Sequence, residues 1–306
     1  MVRSASKIPE TVMRNISEDT ITQAVLAAMS GCKNDRLHTV MISLVQHLHS
    51  FAREVKLTES EWTYAINFLT EVGHITDDKR QEFILLSDTL GLSMLTTTQN
   101  NSKPPTCTET TVLGPFFVEG APDYENGEDI SNGAAGLPCF VTGHVRGLHG
   151  EAVPDATLEV WQSDEDGYYD VQYAAQQQAE VKHQGRGRLR TLADGRFHFR
   201  SILAEAYPIP HDGPVGRMLE ALGRHPWRPA HLHFWINAAG YEPLITHIFR
   251  NGDKYLDSDA VFGVRSTLVA DWIEHPPGVA PDGTSMDTPF YTLDYGFVLN
   301  PVGHAS

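Results

Sequence analysis

From Cys107 onward, the chain is a succession of short runs in which apolar and polar residues alternate. The clearest runs are residues 141–145, 156–161, 196–200, 231–236 and 291–299, with Gly and Pro between them. Successive side chains of a strand point to opposite faces, so each run predicts a strand with one face in a core. Many short strands separated by turn residues predict a β-sandwich or barrel. Asp194-Gly195 directly precedes one run, as the turn of a hairpin would.

The residues before this region follow a helical pattern instead. Apolar residues recur at helical spacing in residues 21–29, 37–55, 62–69 and about 77–90. Thr58 and Glu61 form the Thr-x-x-Glu pattern of a capping box, which predicts the start of a helix, and Gly73 predicts its end. Residues 96–108 are rich in Thr, Asn, Ser and Pro, which places the boundary between two domains here. We therefore expect a mainly β protein, with a helical N-terminal domain in residues 1–105 and a β-sandwich domain in residues 106–306.

The apolar stripe of the second helical segment has two interpretations. Its residues are Val40, Leu44, Leu48 and Phe51. In the first interpretation, the helices bury a core of their own and cap the β domain. In the second, the stripe forms a contact between two copies of the chain. The sequence leaves both open.

Charge and cysteine content limit the partners of the chain. The formal net charge at pH 7 is -16, so phosphate backbones and anionic membrane surfaces are poor partners. No run reaches the roughly 18 apolar residues of a membrane span, and the first ten residues lack the apolar core of a signal peptide. Cys32, Cys107 and Cys139 are odd in number and widely spaced. This disfavours disulfides and a thiolate zinc site and predicts a cytoplasmic protein.

The strongest indication of chemistry is the segment Arg228-Pro-Ala-His231-Leu-His233. On a strand, His231 and His233 share one face while Leu232 points to the opposite one. Two imidazoles that project together can bind zinc, copper, nickel or iron. By itself, a His-x-His pair on a strand is as compatible with a structural pair as with a metal site.

Two tyrosines also lie in unusual settings. Tyr169 follows Gly167 in a polar segment after a predicted strand, and Tyr207 precedes Pro208, which favours an extended backbone. A phenol titrates near pH ~10, and a bound trivalent cation would displace its proton. Tyrosinate favours Fe(III), and no cysteine lies near enough in the sequence to complete a zinc site. Taken singly, either tyrosine is also typical of a half-buried core residue.

Together these motifs resemble the intradiol ring-cleavage dioxygenases, over essentially the whole chain. The motifs are Leu113-Gly-Pro-Phe-Phe117, Glu159-Val-Trp161 leading to Tyr169, Ala206-Tyr207, and the segment from Arg228 to His233. The resemblance implies one non-haem Fe(III) ion per chain, bound by Tyr169, Tyr207, His231 and His233, with Tyr207 and His233 as the axial pair. It further implies an oxidoreductase of aromatic catabolism that opens the ring of an aromatic diol with both atoms of O2.

The resemblance also implies roles for residues around the metal. Tyr207 would leave the metal and accept a proton when the diol binds, and Arg228 would stabilise negative charge on the ring. Taken alone, an arginine is more typical of a surface ion pair. His247 stands where the catechol-cleaving branch has a glutamine, so we assign no glutamine role and expect His247 beside the ligands. This histidine and residues 252–263 look like the hydroxyquinol and chlorocatechol branches.

Residues 167–173 and Leu85-Leu-Ser-Asp88 resemble the hydroxyquinol branch. Hydroxyquinol is 1,2,4-trihydroxybenzene, and its third hydroxyl needs a polar partner in an apolar pocket. Asp88 is either that partner or a solvated helix residue, and the sequence does not decide between them. By motif, the pocket is lined by Leu85, Asp88, Val112, Leu113, Gly114, Pro115, Phe116, Ile209, Pro210, Arg228 and Val261. The expected product is 3-hydroxymuconate, the enol form of maleylacetate.

Three other functions stay open. The first is the same reaction on catechol or chlorocatechol. The second is a zinc- or copper-binding β-sandwich, and the third is a binding module that has lost the metal. The resemblance also implies a homodimer through the N-terminal helices and allows for a lipid between them.

Overall fold

The computed structural model describes residues 14–77, 80–177 and 180–303 of the chain. The chain divides into two compact units, residues 1–70 and residues 71–306. This division lies ahead of the place where the sequence changes from a helical to a β pattern. The domain boundary at residue 105 therefore stays a prediction.

Five helices that lie wholly within the described residues precede the first strand. They are α1 (Ile21–Ala28), α2 (Asp35–Glu54), α3 (Glu59–Ile75), α4 (Glu82–Thr89) and α5 (Leu92–Asn100). The capping box at the start of α3 is confirmed. The Thr58 N–H donates to Glu61 Oε2 at 2.9 Å, and the Glu61 N–H donates to Thr58 Oγ1 at 3.3 Å. These bonds satisfy backbone donors that the first turn of a helix leaves without partners.

Two details of the helical prediction are wrong. Gly73 does not end α3, which continues to Ile75, and α4 begins at Glu82 rather than near residue 77. Residues 96–100, where the change of composition begins, lie within helix α5. There the Thr98 hydroxyl donates to the Met94 carbonyl at 2.8 Å, so a residue that favours loops is accommodated within the helix.

The unit that ends at Thr70 pairs α1 with α2. Arg53 on α2 donates to the Glu18 carbonyl at 2.6 Å and to Thr22 Oγ1 at 2.8 Å. Much of the apolar stripe of α2 remains exposed, with Leu48 at 53% and Phe51 at 54%. In a single chain, the stripe therefore does not form a core of its own.

The second unit contains two main sheets. The first has the strand order β3 (Arg186–Arg190), β2 (Thr157–Gln162), β7 (His231–Asn237), β8 (Leu244–Arg250) and β9 (Val269–Ala270). The second has the order β10 (Ile273–His275), β13 (Phe290–Leu299), β1 (Pro138–Gly147) and β4 (Arg196–Ile202). Smaller elements are β5 (Tyr207–Pro208) paired with β6 (Trp227–Arg228), β11 (Gly278–Val279) paired with β12 (Ser285–Met286), and the helices α6 (Asp170–Gln177) and α7 (Pro214–Ala221).

The two sheets pack face to face around a buried apolar core, so the predicted β-sandwich is confirmed. Phe234 of the first sheet lies 4.7 Å from Phe297 and 6.1 Å from Phe197 of the second, measured between ring centroids. All three rings are buried. Asp194-Gly195 does not close a hairpin, because β3 and β4 on either side of it belong to different sheets.

Within the described residues, no helix combines the length and the apolar character needed to cross a bilayer.

Candidate metal centre

Strand β7 sets the two histidines of the predicted site side by side. Leu232, on the same strand, is fully buried within the sandwich core, and the alternation of the strand directs His231 and His233 to the opposite face. His247 on β8 stands directly across from His233. All three imidazoles are buried, and their nitrogen atoms lie within 4.8 Å of one another.

Two other elements bring the tyrosines to the same place. Tyr207 lies on β5, and Tyr169 lies in the segment between β2 and α6. Gly167 allows this close approach, because its φ is +77° and a Cβ there would lie 2.8 Å from the Ala206 carbonyl oxygen. Both tyrosine rings are buried, with an edge-to-face contact of 5.1 Å between their centroids.

The four predicted ligand atoms converge. Tyr169 Oη lies 2.9 Å from His233 Nε2, which lies 3.1 Å from His231 Nε2. Arg228 Nη1 lies 3.3 Å from Tyr207 Oη and 3.4 Å from His231 Nε2. The structure therefore brings together two phenol oxygens and two imidazole nitrogens.

This arrangement fits a bound cation. His231 Nδ1 lies 2.7 Å from the Pro229 carbonyl, which can only accept, so His231 Nε2 offers a bare lone pair toward His233 Nε2. This lone pair is available to a bound cation. Among the described residues, neither ring nitrogen of His247 has a hydrogen-bond partner.

The pKa values point the same way. Burial and the charge of Arg228 lower the pKa of His231 to about 3, and burial with the neighbouring imidazoles lowers that of His233 well below its usual value. Burial and the Tyr207 phenol raise the pKa of Tyr169 well above 10. Both imidazoles are therefore neutral donors at pH 7, while the phenol loses its proton only if a cation stabilises the anion.

A buried ion pair holds Arg228 in place. Arg228 Nε lies 3.0 Å from Asp259 Oδ1, and Nη2 lies 3.3 Å from Asp259 Oδ2. Burial opposes the charge on Arg228, but the Asp259 carboxylate raises the pKa of the guanidinium above its usual value. The third nitrogen, Nη1, thus points at Tyr207 and His231.

A second buried pair supports Tyr169. Arg186 donates to the two carboxylate oxygens of Asp170 at 2.9 and 2.6 Å, and also to the Phe116 carbonyl at 2.8 Å. Asp170 follows Tyr169 in sequence, and the Phe116 ring stacks on the Tyr169 ring at 4.4 Å. Arg186 therefore joins Asp170, which follows Tyr169 in sequence, to Phe116, whose ring stacks on Tyr169. The Trp161 ring stacks on the His233 ring, with 4.6 Å between the two centroids.

The predicted pocket residues come from helix α4, from strand β6 and from loops. A Cβ on Gly114 would lie 3.3 Å from His233 Cε1, so this backbone closely approaches the site. Leu85, Phe116, Ile209 and Val261 are buried. Val112, Leu113 and Pro210 are partly buried, whereas Pro115 is exposed.

Asp88 is a buried residue and not a solvated one, with 7% of its surface exposed. It lies on the same face of α4 as Leu85. Burial raises the pKa of its carboxyl, while the Ser93 hydroxyl and the charge of Arg228 act in the opposite direction.

The supporting residues Asp259, Arg186 and Asp170 were not predicted from the sequence. Two signals were available: Asp170 directly follows a proposed ligand, and Asp259 lies in the segment 252–263 that looks like two branches of the family. Neither signal identifies the arginine partner, which comes from a different strand or loop.

Residues 112–301 match the dioxygenase family, and residues 34–108 match the catechol dioxygenase N terminus. The chain is 58% identical over 289 residues to the 6-chlorohydroxyquinol 1,2-dioxygenase of Cupriavidus pinatubonensis, covering 94% of this chain and 99% of the relative. It is 48% identical over 294 residues to the hydroxyquinol 1,2-dioxygenase of Nocardioides simplex, covering 96% and 99%. The crystal structure of a hydroxyquinol 1,2-dioxygenase from Pseudomonas putida matches with a TM-score of 0.86 at 44% identity, covering 93% of this chain and 98% of that one.

Proposed function

Since the chain belongs to the intradiol ring-cleavage dioxygenases, we propose that it cleaves hydroxyquinol with O2 between the two adjacent hydroxylated carbons. Both oxygen atoms enter the product, 3-hydroxy-cis,cis-muconate, which is the enol form of maleylacetate. The observation that carries the proposal is the buried convergence of two phenols and two imidazoles beside Arg228. The relatives named for hydroxyquinol and 6-chlorohydroxyquinol support the substrate.

The proposed cofactor is one Fe(III) ion, held by Tyr169, Tyr207, His231 and His233. Two oxygen anions and two neutral nitrogens suit a hard trivalent cation better than they suit zinc, which favours thiolate and imidazole. When bound, Fe(III) supplies a Lewis acid that orients the diol through its two adjacent oxygens and makes the ring reactive toward O2.

Tyr207 is the proposed proton acceptor. Burial raises the pKa of its phenol, although Arg228 partly lowers it. The anion of such a phenol is a strong base, so Tyr207 Oη is suited to take up the proton of a substrate hydroxyl. Arg228 Nη1, 3.3 Å from that oxygen, then holds the phenol in place and offers positive charge to the ionised diol.

Asp88 is the proposed partner of the third hydroxyl. Its buried carboxylate has a raised pKa, as expected for a group that water no longer solvates. A substrate hydroxyl would give this carboxylate a further hydrogen bond, which a diol without that hydroxyl could not supply. This difference favours hydroxyquinol over catechol.

The first test is the visible spectrum of the purified protein without oxygen. Tyrosinate bound to Fe(III) absorbs visible light, whereas the filled d shell of zinc does not allow such a band. We expect the band to shift at low hydroxyquinol concentration and only at much higher catechol concentration. On admission of O2, we expect equimolar uptake of O2 and hydroxyquinol and formation of the muconate.

One ligand variant and one matched control make this test specific to the proposed metal site. His233→Gln removes a proposed ligand and is expected to abolish both the band and O2 uptake. His198→Gln on the outer face of β4 is the matched control, because His198 is exposed. A colourless protein with full metal occupancy would rule out the ferric site. A coloured protein that takes up no O2 with any diol would rule out the reaction.

A second substrate, 6-chlorohydroxyquinol, is favoured by one observation. The relative that shares 58% identity over 94% of the chain carries the name of that activity. The same site would hold both compounds, since both present two adjacent hydroxyls and a third one. Comparing kcat/KM for the two compounds separates the alternatives.

We also propose that the chain works as a homodimer through its N-terminal helices. The exposed stripe Val40, Leu44, Leu48 and Phe51 supports an apolar contact there, with a partner chain or with a lipid between the chains. The three cysteines are free, which fits the reducing cytoplasm that we propose as its location. Sedimentation analysis of the wild type and of Leu48→Glu tests the dimer.

A further inference from the structure

Arg224 bridges two separate segments of the chain near the proposed diol pocket. Its Nη1 donates to the Thr89 carbonyl at 2.6 Å, and its Nη2 donates to the Ala260 carbonyl at 3.0 Å. Thr89 is the last residue of α4, where helix carbonyls lack partners within the helix. Both Thr89 and Ala260 are buried, so each carbonyl depends on a partner from the protein.

Each of these segments carries a pocket residue next to the bonded carbonyl. Asp88 directly precedes Thr89, and Val261 directly follows Ala260. These two residues are the proposed polar and apolar walls for substituents on the substrate ring. A shift of either backbone segment would move its wall relative to the metal ligands.

The loop after Ala260 has an unusual backbone. Phe262 has a φ of +60°, which is rare for a bulky residue and indicates a conformation held by its surroundings. The Arg224 guanidinium lies over the Phe262 ring, 4.8 Å from its centroid. The same ring packs beside Gly91, where an added Cβ would lie 3.5 Å from Phe262 Cδ2. The half-exposed Phe262 ring thus lies against both the Arg224 guanidinium and the backbone at Gly91.

The segment that carries Arg224 also bonds to the loop that contains Ala260. Trp227, three residues after Arg224, accepts a hydrogen bond at its carbonyl from the Ala260 N–H at 3.1 Å. Arg228 is anchored by Asp259 in the same loop. The loop is therefore bonded to the segment that begins at Arg224, and the Arg224 guanidinium joins both to the end of α4.

We propose that Arg224 is a positioning residue that sets the spacing between Asp88 and Val261 and thereby the selectivity among ring-substituted diols. The inference rests on the proposed function, because it assigns these two walls to the substrate. Arg224 does not touch the reacting atoms. It acts through two carbonyls, for which the planar fork of arginine is suited and the single ammonium of lysine is not.

Arg224→Lys is the variant that tests this inference, since it keeps the positive charge but not the fork. Arg217→Lys on α7 is the matched control, because Arg217 pairs with Glu71 at the surface instead. The kcat and KM of each variant are measured with hydroxyquinol, 6-chlorohydroxyquinol and catechol. Hydrogen exchange is followed in residues 82–95 and 259–264, and thermal unfolding shows that each variant is folded.

We expect Arg224→Lys to lower the ratio of kcat/KM for hydroxyquinol to that for catechol about tenfold, because small displacements of binding groups have large kinetic effects. Most of the change should lie in the KM for hydroxyquinol. Both exchange segments should lose protection together. Arg217→Lys should match the wild type in every measurement.

An unchanged ratio in Arg224→Lys overturns the inference, and so does an equal loss of activity on all three diols. Loss of protection in only one segment also overturns it, because a bridge must couple both. Failure of the proposed function is visible separately, as a wild-type protein that cleaves none of the diols. In that case, hydrogen exchange alone shows whether Arg224 couples the two segments, through a loss of protection in both.

Discussion

Replacing Asp259 by Asn is expected to weaken both the fold and the site through Arg228. The substitution keeps the size of the side chain but removes its charge. Arg228 is only 1% exposed and Asp259 only 5% exposed, so water cannot replace the lost carboxylate. The variant would leave an arginine charge buried without its counter-ion.

Removing one partner of a buried ion pair costs about 3–5 kcal/mol of unfolding free energy. The amide oxygen of Asn can still accept one hydrogen bond from Arg228, so we expect the lower end of that range. For a unit of this size, such a loss corresponds to a decrease in Tm of roughly 10 °C. Activity should fall as well, because Arg228 Nη1 would no longer be held toward Tyr207.

The pH dependence of the effect has a definite sign. Burial raises the pKa of Asp259, but the charge and hydrogen bonds of Arg228 outweigh burial, and the net pKa is below the ordinary 3.8. The pair therefore stabilises the fold fully above pH 3.8, and its contribution is lost as the pH falls through the lower folded-state pKa. The difference between wild type and variant should be constant near neutral pH and shrink below 3.8.

Urea unfolding at several pH values measures this difference. Asp123→Asn is the control, because Asp123 pairs with Arg188 at the surface, where an ion pair contributes less than about 1 kcal/mol. If Asp259→Asn were no less stable than Asp123→Asn at pH 7, the reasoning about the buried charge would be refuted. A difference that grows as the pH falls below 3.8 would contradict the sign derived from the pKa.

Three further predictions concern single groups. Asp88→Asn should increase the free energy of unfolding at neutral pH by roughly 1 kcal/mol. Burial raises the pKa of the Asp88 carboxyl, so its ionised form destabilises the fold. At low pH the carboxyl is protonated and this destabilisation disappears. Asp88→Asn should also reduce the preference for hydroxyquinol over catechol, and a variant that keeps the preference in kcat/KM would contradict the role of Asp88. Thr58→Ala should lower the free energy of unfolding in urea by about 1 kcal/mol, because it breaks the capping box of α3. Thr39→Ala within α2 is the control and should lower it less. Equal losses in the two variants would argue against the cap. Removal of iron by a chelator should lower the Tm and added Fe(III) should restore it, because binding to the folded state alone stabilises that state; a Tm that does not respond to the metal would count against a site built by all four ligands.

Local pattern was sufficient for much of the architecture. The two-residue repeat of β7 buries Leu232 and its alternating neighbours in the core and turns His231 and His233 toward the site. The capping box of α3 forms between residues three positions apart. Such features depend on the geometry of a single helix or strand, which the order of side chains along the chain determines.

Other local patterns were misleading. Asp194-Gly195 has the composition of a hairpin turn, yet β3 and β4 enter different sheets. Residues 96–100 have the composition of a loop, yet they lie in α5. In both cases the choice depends on what the segment packs against, and packing outweighs the weak preferences of single residues.

The sequence by itself determined the fold class, the face that the two histidines share and, through resemblance to a family, the identity of the proposed ligands. Only the tertiary structure decided that Asp259 pairs with Arg228, that Asp170 pairs with Arg186 and that Arg224 reaches two distant carbonyls. Each of these contacts joins residues from separate segments of the chain. Periodicity describes how neighbouring side chains are arranged along one element, whereas buried charges find their partners only when the elements pack and exclude water.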